Sequence, residues 1–261
     1  MIIADTHVHI YPCHQPGVAL TALIRHLDVQ AAGVVKVAFL AERHDCNCFA
    51  ALQKGGTGSL PAGMTIEPSP EPGCLVVRQA GVPVLYLYAG RQIVSSERLE
   101  VLALATESRF AEGLTAEAAI QQVRMDGGIP VLAWSPGKWM FARGKMVQGL
   151  LERFSPGELL VGDTSLRPVW WGMPRLLADA QERGFTLVAG SDPLPVAGEE
   201  QVCGTYGTLL DVSFDPARPV QSLREALCRP AVKTRVVGRR AGAIEAVVRQ
   251  IGNARSKGRS W

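Results

Sequence analysis

Short apolar runs alternate with amphipathic segments along most of the chain, and this constrains the fold most, because it is the mark of βα repetition. Ile2–Thr6 opens the series as a strand. Leu20, Leu23, Ile24 and Leu27 fall on one face of a helix expected from about Val18 to Gln30, with Gly33 as its stop. Val34–Leu40 is apolar almost throughout, as a strand covered on both faces should be. Further strands are expected at Cys74–Gln79 and Pro83–Tyr88 (a hairpin about Ala80-Gly81), then at Glu100–Ala105, Ile129–Ala133 and Leu159–Val161, with Phe185–Ala189 the last. Helices are expected from Thr115, as its cap, to Met125, and at Met146–Phe154, Pro174–Arg183, Ser222–Cys228 and Gly238–Ile251. Gly55–Gly81 interrupts the alternation with Pro61, Pro68, Pro70 and Pro72. Apolar strands resume at once, so it reads as a hairpin excursion within one domain, residues 1–261.

Composition narrows the function classes. A hydrophobic content of 47% supports a sizeable core, and 20% charged residues exclude a disordered chain. The net charge of +3 is too small to indicate nucleic-acid binding. Three cations, Arg255, Lys257 and Arg259, lie in a basic tail from about residue 252, read as solvated. No apolar run reaches the roughly 18–20 residues of a membrane span, and the N-terminus lacks the layout of a signal peptide. The six cysteines follow no small-scaffold spacing, so free thiols in a reducing cytoplasm are expected. No signal sets an oligomeric state.

Chemically capable side chains follow the strands. Asp5, His7 and His9 end the first, and His44 and Asp45 follow the second. Gln92, Lys138, Asp163 and Asp192 follow later ones. In a parallel barrel such positions converge on one rim, where active sites sit. His7 and His9 are two apart on a strand and point the same way, so both imidazoles can bind one metal ion. Asp5 shares that side as a ligand or as a partner that orients a histidine. Asp192, in Gly190-Ser191-Asp192-Pro193, can complete the shell or act as general base, or it can form an Asp-Pro turn. His44 is a rim ligand or catalytic candidate, and His14 lies close enough in sequence to reach the site. Asp45 reads as the cap of a helix starting at Cys46. His26, inside the first helix, reads as a packing histidine.

These motifs resemble the polymerase and histidinol phosphatase (PHP) family of metal-dependent phosphoesterases. Asp5, His7 and His9 match its opening Asp-x-His-x-His strand. Glu42-Arg43-His44-Asp45 partly matches its Thr-Asp-His-Asp-like turn. Gly90-Arg91-Gln92-Ile93 and Leu99–Leu104 stand where the family has Gly-x-Glu-Ile and a strand. Gly127–Trp134 stands for Gly-Gly-x-x-Val-x-Ala-His, and Gly190–Leu194 for Gly-Ser-Asp-x-His. The order holds over nearly the whole chain. It implies a distorted seven-stranded (β/α)7 TIM-like α/β barrel, with a hairpin excursion near residues 60–90. Three departures matter: the family glutamate is Gln92, and two family histidines are Trp134 and Leu194. Typical members bind two or three metals. With one anionic and two imidazole ligands gone, the expected cofactor is one divalent ion or at most two, zinc, manganese or iron, held by His7, His9 and Asp192 with His44 and His14. Gln92 and Asp163 join Asp5 as outer partners.

Arg91, Lys138, Arg143 and Arg167 suit a small anionic substrate, with Asp163 either pairing with Arg167 or replacing a lost metal carboxylate. The expected function is metal-dependent hydrolysis, of a phosphate ester, with Asp192 and His44 as catalytic candidates. The alternative is a non-catalytic binding or sensor protein for an anion. A C–N hydrolase of the amidohydrolase kind ranks below both, because no histidine follows His44.

Overall fold

Every residue is described by the computed structural model except 57, 59, 136, 231, 243, 244, 246, 247 and 250–261. The first part of the chain runs β1 (Ile2–Val8), α1 (Pro16–Gln30), β2 (Val35–Leu40), α2 (Cys48–Gln53), β3 (Met64–Pro68), β4 (Cys74–Gln79), β5 (Val82–Tyr88), β6 (Gly90–Val94) and β7 (Glu100–Leu104). It continues with α3 (Ala116–Met125), β8 (Ile129–Ala133), α4 (Phe141–Arg153), β9 (Leu160–Thr164), α5 (Arg175–Glu182), β10 (Leu187–Gly190), β11 (Tyr206–Leu210), α6 (Pro219–Leu227) and β12 (Thr234–Gly238).

These strands form two sheets, one of seven in the order β12-β11-β1-β2-β5-β4-β3 and one of five in the order β10-β9-β8-β7-β6. The expected closed (β/α)7 barrel is therefore not formed. The reason lies between α2 and α3, where five strands follow one another without a helix. Strands so linked pair antiparallel, because a parallel pair needs a long crossover. Accordingly β3, β4 and β5 form an antiparallel meander and β6 pairs antiparallel with β7, while β8, which follows α3, returns antiparallel beside β7. The chain changes sheets at Gly90, where a Cβ would lie 2.3 Å from Leu40 O and 2.7 Å from Ala103 O. Among the described residues no continuous ladder joins the sheets. Near β2 and β6 there is an isolated bridge, Glu42 with Arg91. Near β1 and β10, Thr6 Oγ1 donates to Ala189 O at 3.0 Å and Asp192 N to His7 O at 2.8 Å.

Both faces of each sheet are covered, which explains the near-continuous apolar runs. Ile2, Val37, Phe39 and Tyr88 of the larger sheet pack against Leu102, Leu104, Val131 and Val188 of the smaller, with Leu223 and Leu227 of α6 closing one end. The outer face of the smaller sheet packs on α3, α4 and α5, and that of the larger on α1 and α2.

The β4–β5 hairpin turns at Ala80 and Gly81, both left-handed, as a two-residue turn of this hand requires. Thr115 caps α3 by accepting from Ala118 N at 3.2 Å. Asp45 does not cap α2, which starts at Cys48 behind Asn47. Phe185–Ala189 is not the end of the strands, since β11 and β12 follow. Gly238 closes β12, so the helix expected from Gly238 to Ile251 does not begin there, and residues 243, 244, 246, 247, 250 and 251 of its span lie outside the described residues. The tail from 252 lies outside them too. No described helix is long and apolar enough to cross a membrane.

Candidate metal centre

β1 carries a register irregularity between Asp5 and Val8. Irregularities of this kind re-aim side chains at strand ends. Here it leaves the Nε2 atoms of His7 and His9 3.1 Å apart, and Asp192 Oδ1 lies 3.6 Å from each. All three side chains are buried. A separation of 3.6 Å is too long for a hydrogen bond. It is close to the spacing of two donors on one ion, about 3.0–3.5 Å for metal–ligand bonds near 2.0–2.2 Å. The donor set therefore fits a divalent cation, with coordination positions left over. Burial, and then the positive potential of His7 and Arg43, hold the His9 imidazole well below its ordinary pKa. It is neutral, as ligation requires.

Asp192 is held from several sides. Its backbone is left-handed, with φ 49°. Thr164 Oγ1 donates to Oδ2 at 3.0 Å, which leaves Oδ1 toward the imidazoles. Burial pushes its carboxyl up, against the pull of His7. Arg249 Nη2 donates to the Asp192 carbonyl at 3.2 Å and to Glu199 Oε2 at 2.7 Å, while its Nη1 reaches Ser165 Oγ at 3.1 Å. Nothing in the sequence marked Arg249, because its partners lie at least fifty residues away. Close approach to β1 depends on Gly190, whose Cβ would meet His7 N at 2.4 Å.

Asp5 is a clasp. It accepts from His7 N at 3.2 Å, Ser191 N at 2.9 Å, Ser191 Oγ at 2.5 Å and Gly204 N at 2.8 Å. Burial outweighs those bonds and raises its pKa to about 6. It touches the backbone of His7 and orients no imidazole ring. His14 stands apart from the donor group: its Nδ1 accepts from Tyr11 N, and its Nε2 lies 3.0 Å from Leu194 O and 3.1 Å from Val196 O. With both ring nitrogens engaged, it is not placed to ligate. His44 is exposed, 3.5 Å from Glu112.

A pocket of about 840 Å³ opens over this group, lined by His9, Asp192, Tyr11, Gln92, Glu100 and Lys138, among others, with Leu194, His44, Arg43, Arg91 and Arg109 also on its wall. Tyr11 stacks on His9 with ring centroids 5.1 Å apart. Burial, then Asp192, raise its phenol, so it stays a hydroxyl donor. Glu100 pairs with Lys138 Nζ and accepts from Ser135 Oγ. Burial works to raise the Glu100 carboxyl, but the Lys138 ammonium and these bonds prevail and hold it low. The sequence offered Glu100 only as the start of a strand. Antiparallel β7 brings it level with the end of β8.

Other cations are placed differently from expectation. Arg167 is buried, and its Nε and Nη2 donate to Asp163 at 2.8 and 2.6 Å. Its Nη1 donates to the Trp171 and Gly172 carbonyls. Asp163 also accepts from Tyr206 OH at 2.7 Å. Both are fully engaged away from the pocket. Arg143 donates to Gly137 O and does not line the pocket. Trp134 packs edge-on to Trp171, and Trp139 Nε1 donates to Ala133 O, so both serve packing.

No protein-family model matches this chain, and no curated protein matches its sequence. Among solved structures, PsfC from Pseudomonas syringae PB-5123 is similar over 98% of both chains, at 16% identity and a TM-score of 0.55. Looser likeness, at a TM-score of 0.46, extends to a two-domain protein containing a predicted PHP-like metal-dependent phosphoesterase from Bacteroides vulgatus ATCC 8482, at 14% identity over 89% of this chain and 64% of that one. At the same TM-score, the lesion-specific endonuclease PfuEndoQ from Pyrococcus furiosus is 12% identical over 88% of this chain and 57% of that one. The likeness to PsfC is one of fold, and a fold leaves the activity open.

Proposed function

We propose that this chain is a metal-dependent hydrolase of the PHP kind, acting on a phosphate ester of a small anionic molecule. The observation that carries the reading is the buried convergence of His7, His9 and Asp192 beside a pocket that Lys138 enters. His7, His9 and Asp192 would hold one zinc, manganese or iron ion, which when bound supplies Lewis acidity and a water of lowered pKa. Thr164 fixes which oxygen of Asp192 faces the imidazoles. Lys138, tethered by Glu100, offers a positioned ammonium to negative charge that develops on the phosphoryl oxygens. Tyr11, stacked on His9, offers a neutral hydroxyl in the same pocket. A non-catalytic anion-binding role remains the second reading, favoured by Gln92, Trp134 and Leu194 standing where the family has ligands.

Elemental analysis of protein purified without an affinity tag, beside a His7→Ala/His9→Ala variant, tests the site. About one ion per chain is expected, and none in the variant. Hydrolysis of p-nitrophenyl phosphate that depends on that ion would support the hydrolase. Metal without turnover of any ester would leave the binding reading, and a chain that takes up no metal would sink the hydrolase.

A further inference from the structure

The pocket over His9 and Asp192 extends to a group of side chains that hydrolysis of a simple monoester does not need. Asn47 Oδ1 accepts from Arg91 Nη2 at 3.4 Å and also from Arg109 Nη2. One neutral amide oxygen thus sits between two guanidiniums. Arg91 Nη1 pairs with Glu42 Oε2 at 3.1 Å and donates to Cys46 O at 2.7 Å, so Nη2, with only its long bond to Asn47, is the edge left to a ligand. Arg109 forms no ion pair among the described residues. Arg43, lining the same pocket, has Asp45 Oδ1 at 3.6 Å, beyond hydrogen-bond reach. Of the other pocket carboxylates, Glu100 is held by Lys138 and Ser135 and Asp192 by Thr164, and exposed Glu112 forms no ion pair with either arginine among the described residues.

Neighbouring guanidiniums repel, and an oxyanion that accepts from both relieves the repulsion through paired charge-assisted bonds. The sheet sets the reach. β1 pairs with β2, and Glu42 just past β2 bridges to Arg91 of β6. Two strand spacings separate the backbones of β1 and β6 by about 10 Å, and Arg109 joins the Arg91 side through Asn47. One phosphoryl group does not span that distance, whereas a small molecule with an anionic group at each end does. We propose that the substrate is two-ended, with its phosphoryl group at His7, His9 and Asp192 and a second oxyanion, carboxylate or phosphoryl, held by Arg109 and Arg91. Arg109 and Arg91 are then specificity-determining residues. This rests on the hydrolase reading for the identity of the first end only.

Calorimetric titration with phosphonates, which no phosphoesterase can cleave, separates the two ideas. The probes are methylphosphonate, phosphonobutyrate with its phosphonate and carboxylate at opposite ends of a three-carbon chain, and the propane bisphosphonate with a phosphonate at each end. Wild-type protein should bind at least one two-ended probe about tenfold or more tighter than methylphosphonate, since charge-assisted paired bonds are the strong ones. Comparing the two long probes tells carboxylate from phosphoryl. Arg109→Ala should bring that ratio close to one. So should Asn47→Asp, which keeps the shape and the bonds to both arginines but supplies the negative charge itself, so that a merely structural role would be preserved. Equal binding of short and long probes, no binding of any probe, or a ratio unmoved in both variants overturns the proposal. A high ratio that both variants abolish, without turnover of any phosphate ester, upholds it and removes the hydrolase reading alone.

Discussion

Arg167 shows how one side chain changes meaning once its partners are known. In sequence it was one rim cation among several, with pairing to Asp163 left open. In the fold it forms a two-pronged buried ion pair with Asp163, and Tyr206 completes the carboxylate's bonds. Removing one member of such a pair leaves the other charged and buried. Arg167→Ala should therefore cost about 3–5 kcal/mol in urea unfolding. A stability unchanged within error would mean that the pair is not formed. The thiols follow the same logic of environment. Burial pushes Cys46 up to about 11 and Cys48 and Cys74 up to about 12, and it raises Cys203 well above the ordinary range. Only the thiolate attacks an alkylating reagent. At pH 8, iodoacetamide should therefore modify the exposed Cys13 and Cys228 first, and the other four only after unfolding, as peptide mass spectrometry would report. Early labelling of Cys74 would contradict the placement of β4.

Among elements, the strands that apolar runs announced were found: β1, β2, β4, β5, β7, β8, β9 and β10. Four were missed, β3, β6, β11 and β12, and none is a continuous apolar run, β3 carrying Thr65 and Glu67 and β11 Gly207 and Thr208. β6 is Gly-Arg-Gln-Ile-Val, with Arg91 and Gln92 facing the pocket, and β12 is a sheet edge that begins Thr-Arg. A strand whose neighbours are polar, or are absent on one side, has no reason to be continuously apolar. β10 ends at Gly190 because β1 passes too close for a side chain. Gly190→Ala should force the two strands apart, cost about 3 kcal/mol or more, and weaken metal binding, because Asp192 moves with the turn. Chemical denaturation with a parallel metal titration checks both. Loss of stability with metal affinity intact would show that Asp192 is not positioned by this contact.

For the whole molecule, His7 lies in β1 of the larger sheet and His9 just past its end, whereas Asp192 follows the last strand of the smaller one. An ion held by all three would tie together two sheets that no continuous ladder joins among the described residues. A ligand that binds only the native state stabilises by mass action, about 2.7 kcal/mol at a hundred times its Kd. Chelation should accordingly lower the thermal midpoint of the wild-type protein and leave His7→Ala/His9→Ala unmoved. An equal effect on both would place the metal elsewhere.

By itself the sequence determined the order of most strands and helices and the His7, His9 and Asp192 constellation, because strand burial and the two-residue period of a strand are local properties. It also marked the three departures, Gln92, Trp134 and Leu194, which are matters of residue identity. Tertiary structure alone decided that the strands make two sheets and not one barrel: β1 pairs with β11, far along the chain, while β6 to β10 pair among themselves. It decided as well which cations stay available to a ligand. Arg167 is consumed by Asp163, Lys138 is aimed into the pocket by Glu100, and Arg109 meets Arg91 at Asn47. An ion pair is set by whichever partner the folded chain brings within about 3 Å, and nothing local to either residue encodes that meeting.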